Sequence, residues 1–386
     1  MVRPQYLGVD IGAGQGTRLA LFSDPHTILA ETELVVDAYG DTFEGYVSLL
    51  KERIAFLLDS NGCTATDLLA AGIASAGILG SDGTFLLVAN LPFLIGNNLK
   101  TRLEEDLGIP VAIENDANAG GLAEWSVLKG ELLYWVFGGG WGGSWISADG
   151  EVRFPAHDWS MRDEDLHPSN EPGYAIPLQK AMLRQVFTEV NASYERFEED
   201  LCVEFNNDES RLHGPAGDPS SIRAEIVLSG PGRCRLFRAV VGDDDFYERF
   251  LDIHELREIR DPAVAGKHIS KLSGMRVEAA INTDRLYGKI LAHATRYLVR
   301  RSMDDGLPEG VPICLGGKPS YALPYFGPST QRFLGKFGLM NYMRPSVIDE
   351  RGLNANLVGA AVIARKCAMD RNRKASGERE SRARSG

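Results

Sequence analysis

The hydrophobic and polar positions of this chain alternate between short strand-like runs and longer helical stretches. Tyr6-Leu7-Gly8-Val9 leads into a glycine-rich turn and Arg18-Leu19-Ala20-Leu21-Phe22 leads out, so residues 5–22 read as strand, turn, strand. Tyr46, Leu49, Leu50, Ile54, Leu57 and Leu58 recur at helical spacing and predict a core-facing helix over 44–60. Ala71–Ile78 is a buried strand, Asp82-Gly83 a tight turn, and Lys100–Asp106 a solvated helix face. At the centre, Val111 and Ile113 alternate as in a strand entering a core. Glu114-Asn115-Asp116 follows, and then a small-residue helix ending near Glu124-Trp125. Leu132–Phe137 is a strongly apolar strand, and Gly138-Gly139-Gly140-Trp141-Gly142-Gly143 reads as a second glycine hairpin returning through Trp145-Ile146-Ser147. After acidic helical patterns over 179–260, Val277–Arg301 predicts a long helix, Val311–Leu315 a buried strand ending at Gly316-Gly317, and Leu353–Ile363 a small-residue helix.

Composition adds bounds to this picture. With 386 residues, two domains are expected. The net charge of −12 argues against nucleic acid or an anionic membrane as the main partner. No apolar run is long enough to span a bilayer, and no basic-then-apolar leader opens the chain. Five scattered cysteines without a Cys-x-x-Cys predict reduced thiols in a cytoplasm. Asp370–Gly386, rich in Arg, Ser and Lys, predicts a disordered tail.

The candidate chemistry gathers where strands end. Asn115 and Asp116 sit where a strand stops and a helix starts, and ligands of open α/β sheets bind at the carboxyl ends of strands. Asp116 is the candidate catalytic base. The same residues are also good helix caps, and both readings stay open on the residues alone. Glycines at 12, 14 and 16 let backbone amides approach an anion closely, although a plain hairpin would use them as well. The segment is neither a Walker loop nor a Rossmann fingerprint, because a strand follows the turn.

Taken in order, Leu7-Gly8-Val9-Asp10-Ile11-Gly12-Ala13-Gly14-Gln15-Gly16-Thr17, Gly72–Gly77, Val88–Phe93, the Ile109–Trp125 stretch, Phe137–Gly143, Glu171-Pro172-Gly173-Tyr174, Leu315-Gly316-Gly317 and Leu357-Val358-Gly359-Ala360-Ala361 resemble the ROK family. These are the sugar kinases and related repressors of the actin/hexokinase-like ATPase superfamily. The resemblance covers residues 5–175 and about 310–365; the region 180–300 matches no named pattern.

This resemblance implies two α/β domains of actin/hexokinase-like (ribonuclease H-like) fold around an inter-domain cleft. The first would comprise 1–126 completed by the C-terminal helix 351–368, and the second 127–350. It implies ATP held by Asp10, Gly12, Gly14, Gln15, Gly16 and Thr17, by Gly138, Gly139, Gly140 and Gly142, and by Gly316 and Gly317. Asp10 would face magnesium through water. A sugar would meet Asn90, Asn115, Asp116, Glu171 and Tyr174, and Trp141 would form part of a pocket wall. For Asn90 a turn-forming role, and for Glu171 a surface-loop role, remain open. The family usually carries Asp-Ile-Gly-Gly-Thr-Lys-x-Arg at the first turn, which here holds extra residues, and a Thr where Gly139 stands. Its His stands at Tyr174, and its Cys-x-Cys-Gly-x-x-Gly-Cys run is missing, so no structural zinc is expected. The implied activity is transfer of the γ-phosphoryl group of ATP to a hydroxyl of a hexose. A sugar-like cyclitol or an N-acylated amino sugar is the alternative acceptor, and a non-enzymatic sugar-binding regulator the alternative class. Family repressors carry a DNA-binding domain before the first hairpin, which here begins close to Met1. A homodimer is compatible with the resemblance.

Overall fold

The computed structural model describes residues 3, 5–12, 16–35, 42–88, 91–154, 160–161, 169–206, 208, 211–213, 217–242, 244–253 and 262–385. The first sheet is built from β1 (Tyr6–Gly12), β2 (Gly16–Asp24), β3 (Thr27–Leu34), β4 (Ala70–Ser75) and, after a small hairpin of β5 (Ile78–Leu79) and β6 (Phe85–Leu87), β7 (Val111–Asn115). Its order is β3-β2-β1-β4-β7. The hairpin strands are antiparallel, and β1, β4 and β7 run parallel. Alternation along β1 explains the layering. Leu7, Val9 and Ile11 point to a core shared with Tyr46, Leu50, Ile54 and Leu57 of the helix Phe43–Ser60. Tyr6 on the same strand joins the opposite core with Ala20, Phe22, Ala70 and Ala74.

That opposite core is covered by helix Asp116–Leu128 and the final helix Ala355–Ser385. Small residues let them seat closely: a Cβ on Gly359 would lie 2.1 Å from the Ala119 carbonyl oxygen, and one on Gly72 would lie 2.0 Å from that of Ala360. The final helix runs on to Ser385, across the stretch whose composition reads as a disordered tail.

The second sheet repeats the plan. β8 (Leu132–Phe137) and β9 (Trp141–Ile146) are antiparallel, and short strands β10 (Val152–Arg153), β11 (Ser160–Met161) and β12 (Ser169–Asn170) extend this edge. After the two-stranded pair of β13 (Pro177–Gln179) and β14 (Ser221–Arg223), β15 (Pro312–Gly316) and β16 (Tyr342–Pro345) add in parallel on the other side of β8. Each sheet thus has a glycine turn joining its first antiparallel pair.

Two expectations are corrected here. Trp141 is 2% exposed and opens β9, stacked among Trp135 and Phe137, rather than lining a pocket. Burying that ring draws Trp141-Gly142-Gly143 into the strand, so the turn is only Gly138–Gly140. The region the sequence left unassigned is a helical layer over this sheet. Buried Arg233 of helix Gly230–Val241 reaches Asp284 of helix Glu278–Asp304 at 2.5 Å and the Gly266 carbonyl of helix Pro262–Gly274 at 2.9 Å. An isolated buried ion is costly, so this pairing fixes the register of the layer.

Candidate active site

The carboxyl ends of β1 and β7 bring Asp10 and Asp116 to one edge of the first sheet. Asp10 is 6% exposed, and its carboxylate accepts from Asn356 Nδ2 at 3.1 Å and Asn354 Nδ2 at 3.3 Å, both just ahead of or within the first turn of the final helix. Burial raises its pKa, against the opposing pull of Asn356, Arg18 and Asn354. Asn115 is the cap of the helix that follows: its Oδ1 accepts from the Ala117 amide at 2.9 Å and the Asn118 amide at 3.3 Å. Capping uses the carbonyl end of the side chain, while its amide nitrogen has no partner among the described residues. Asp116 Oδ1 accepts from Ala117 at 2.8 Å. Burial, and then the neighbouring charge of Asp10, push its pKa up to about 6.

A second group of acids faces them from the other sheet. Glu171 precedes the short helix Pro172–Ala175, which packs on β9: a Cβ on Gly173 would lie 2.7 Å from the Trp141 carbonyl oxygen. Burial, then Asp116, then Glu225 push the Glu171 pKa up to about 8. Its carboxyl has no hydrogen-bond partner among the described residues. Glu225 was not anticipated. It stands in Ala224-Glu225-Ile226-Val227-Leu228, whose four apolar members are buried. A lone carboxylate inside such a run was the available signal. Its Oε2 faces the glycine turn, 3.0 Å from where a Cβ on Gly140 would be. Tyr174 is 40% exposed, and its ring lies under the Arg223 guanidinium at 5.0 Å.

The Gly138–Gly140 turn is braced from behind. The Gly138 amide donates to the Gly140 carbonyl at 2.9 Å, and the Gly230 amide donates to the Gly138 carbonyl at 2.9 Å. Gly317 has φ of +80°, and a Cβ there would lie 2.1 Å from the Phe137 carbonyl oxygen, so only glycine fits. Gly316, Gly317 and the second turn therefore meet. A Cβ on Gly138 or Gly139 would meet nothing within 4 Å. Backbone exposed to open space at a glycine turn suits close approach of a phosphate.

Other expected ligands are placed differently. Thr17 is fully buried and its hydroxyl is 2.8 Å from that of Tyr46, so its side chain faces the core and only its backbone could meet a nucleotide. Gly142 is paired with Val136 inside β9, against Ala117, and is not part of the turn. Gly12 and Gly16 pair at the mouth of the first turn. Gly14, Gln15 and Asn90 lie outside the described residues. Among the described residues, no three His, Cys, Asp or Glu side chains gather as a metal site. No described helix is long and apolar enough to cross a membrane.

Comparison with known proteins finds likeness in sequence over part of the chain and in fold over most of it. Residues 6–151 match the model of the ROK family. The chain is 30% identical over 151 residues to an N-acetyl-D-glucosamine kinase of Vibrio parahaemolyticus, a segment that is 38% of this chain and 47% of that protein. It thus spans about half the length of the curated relative it matches. A ROK glucokinase from Streptomyces griseus, solved with glucose and AMPPNP, superposes with a TM-score of 0.61 at 22% identity, covering 94% of this chain and 99% of that one. The ROK hexokinase of Thermus thermophilus gives 0.61 at 21% identity, covering 95% and 99%. A ROK transcriptional regulator, a homologue of the E. coli MLC protein, gives 0.62 at 16% identity, covering 94% of this chain and 78% of the regulator. The likeness to these structures is one of fold. Over residues 6–151 the chain is similar in sequence to the ROK family, and over nearly its full length it shares the fold of these structures.

Proposed function

We propose that this protein is an ATP-dependent kinase transferring the γ-phosphoryl group to a hydroxyl of a neutral polyol, a hexose in the first instance. The observation that carries the reading is Asp116. Its carboxyl has a pKa raised to about 6 and one oxygen left over from helix capping, and it faces Glu171 across the two strand ends. An alcohol is a poor nucleophile at neutral pH. Asp116 takes the hydroxyl proton as the alcohol oxygen bonds to the γ-phosphorus, while the bond from that phosphorus to the bridging oxygen breaks and ADP leaves. Such base catalysis contributes roughly 10²–10⁴-fold. The Asn115 amide nitrogen, Glu171 and Glu225 orient the acceptor through its hydroxyls. The open faces of Gly138 and Gly139, with Gly12, Gly16 and Gly316-Gly317, form the nucleotide cradle.

The pair Asp10 and Asp116 also fits a magnesium ion: both carboxylates are buried, and the charge of Asp10 raises the Asp116 pKa. Asp10 would hold the ion through water, and the ion would supply charge neutralisation at the phosphates. In this reading the domains are 1–126 with 351–368, and 127–350. A cytoplasmic setting is part of this reading, supported by five scattered cysteines without a Cys-x-x-Cys. An N-acylated amino sugar is the second acceptor class, favoured by the N-acetyl-D-glucosamine kinase match; a cyclitol is the third. ADP release should be measured with ATP-Mg over a panel of hexoses, N-acylated amino sugars and cyclitols. Saturable turnover with at least one panel member is expected. Saturable polyol binding without ADP release would replace the kinase with a sugar-binding regulator.

A further inference from the structure

On the proposed polyol side of the cleft, the terminal nitrogens and the face of one described guanidinium, that of Arg223, hold other groups. Arg223 is the last residue of β14, paired with Pro177, the second residue after the helix Pro172–Ala175. Its backbone amide donates to Leu212 at 2.8 Å. Its side chain is 15% exposed and branches three ways: Nη1 lies 3.3 Å from Glu225 Oε1, Nη2 donates to the Arg211 carbonyl, and the guanidinium plane covers the Tyr174 ring at 5.0 Å. Its Nε has no partner among the described residues. The consequence for Glu225 is directional. With Oε1 held by Arg223, the other oxygen, Oε2, is the one turned toward Gly140 and the cleft. The consequence for Glu171 runs through Tyr174, three residues on in the same short helix. That helix has only two backbone bonds of its own, Ala175 to Glu171 and Ile176 to Pro172, and no side-chain cap.

We propose that Arg223 is a positioning residue for acceptor recognition, a clamp that holds Glu225 by one carboxylate oxygen and the Glu171–Ala175 turn by the Tyr174 ring. This rests on the kinase reading above and deepens it: the clamp sets both glutamates against the acceptor and touches neither nucleotide nor reacting atoms. A planar guanidinium does this where an ammonium would not, because it presents fork and stacking face together. Arg223 also opposes the burial that raises the Glu225 pKa.

The full-length chain and its Arg223→Gln, Arg223→Lys, Tyr174→Phe and Tyr174→Ala variants test this. For Arg223→Gln the KM for the acceptor should rise about ten-fold or more, the loss of roughly one charge-assisted hydrogen bond. Its kcat and its KM for ATP should stay within about two-fold, because the clamp contacts only the acceptor side. Arg223→Lys should recover part of the loss, while Tyr174→Ala should resemble Arg223→Lys and Tyr174→Phe, which keeps the ring under the guanidinium, should lose less than Tyr174→Ala. Parallel losses in both KM values and kcat, or an unchanged acceptor KM, would overturn the clamp. If wild-type protein turns over no acceptor, the kinase reading fails by itself, and the clamp is judged by hydrogen exchange. Amides of Ala175 and Ile176 should then exchange about ten-fold faster in Arg223→Gln, with β8 and β9 unchanged; equal rates would dispose of it.

Discussion

At the scale of single residues, Asp116 carries opposing demands. Burial and Asp10 raise its pKa from 3.8 to about 6, so the folded protein holds that proton more tightly than the unfolded chain. The stability this proton confers is complete below about pH 4 and is lost as pH rises through about 6. The ionised form that catalysis needs is therefore the less stable one. Asp116→Asn keeps a carbonyl oxygen for the Ala117 amide and removes the charge. It should lower kcat by about two orders of magnitude or more. It should also leave Tm near pH 8 equal to or above wild type, with the advantage vanishing near pH 4. In wild type, kcat/KM should climb with pH through about 6. Near-normal turnover of the variant, or a flat profile between pH 5 and 7, would remove Asp116 as the base. The sequence made this residue legible because strand end, helix start and acid coincide there. It did not reveal Glu225, whose single carboxylate lies in an apolar helix and reaches the site only through the fold. Thr17 went the other way: hydroxyl chemistry near a phosphate turn looked functional, but alternation on β2 sends it to Tyr46.

At the scale of elements, periodicity predicted β1, β2, β4, β7, β8 and β15 and the helix that begins at Asp116, because two-sided burial leaves unbroken apolar runs, but not the short elements that carry Glu171 and Glu225. The glycine stretch after β8 was harder. Six residues of similar composition conceal a boundary between turn and strand, and the deciding factor is where Trp141 can bury its ring. This division has a measurable consequence. A Cβ on Gly139 meets nothing within 4 Å, whereas one on Gly140 comes within 3.0 Å of Glu225 Oε2. Gly139→Val should therefore fold normally, with Tm unchanged, and lose at least about ten-fold in affinity for an ATP analogue, as bulk replaces close backbone approach. Gly140→Val should weaken the acceptor as well, by displacing Glu225. Calorimetric titration of each variant separates the two. Unaltered nucleotide affinity in Gly139→Val would place the phosphates elsewhere. The helical layer between 180 and 300 escaped assignment for another reason: its order depends on Arg233 and Asp284, partners fifty-one positions apart that no local pattern connects.

At the scale of the whole molecule, the helix that begins with Asp116 is the joint between the two sheets. Glu124, eight residues along it, is fully buried, and its carboxylate accepts from Ser346 Oγ, from the Val347 amide at 2.9 Å and from the Ile348 amide at 3.3 Å, just beyond β16. In the same segment Asp349 accepts from the Gly317 amide, with its pKa pushed up to about 6 by burial and by Glu124. The chain of contacts runs from the candidate base, along its helix, to Gly317 in the turn proposed to hold the nucleotide. We predict that the two sheets draw together about this joint when ligands bridge them, because the proposed contacts of nucleotide and acceptor come from both sides. Closure excludes water from the phosphoryl transfer and brings the acceptor up to the donor. Small-angle scattering on wild type should show a smaller radius of gyration with a non-hydrolysable ATP analogue plus acceptor, and less change with either alone. Glu124→Gln retains the shape but weakens the acceptor for three donors, so the doubly liganded state should compact less while nucleotide affinity at the glycine turn falls only slightly. Full compaction in that variant would show that the pivot lies elsewhere. No compaction of wild type with both ligands would count against a reaction site shared between the two sheets.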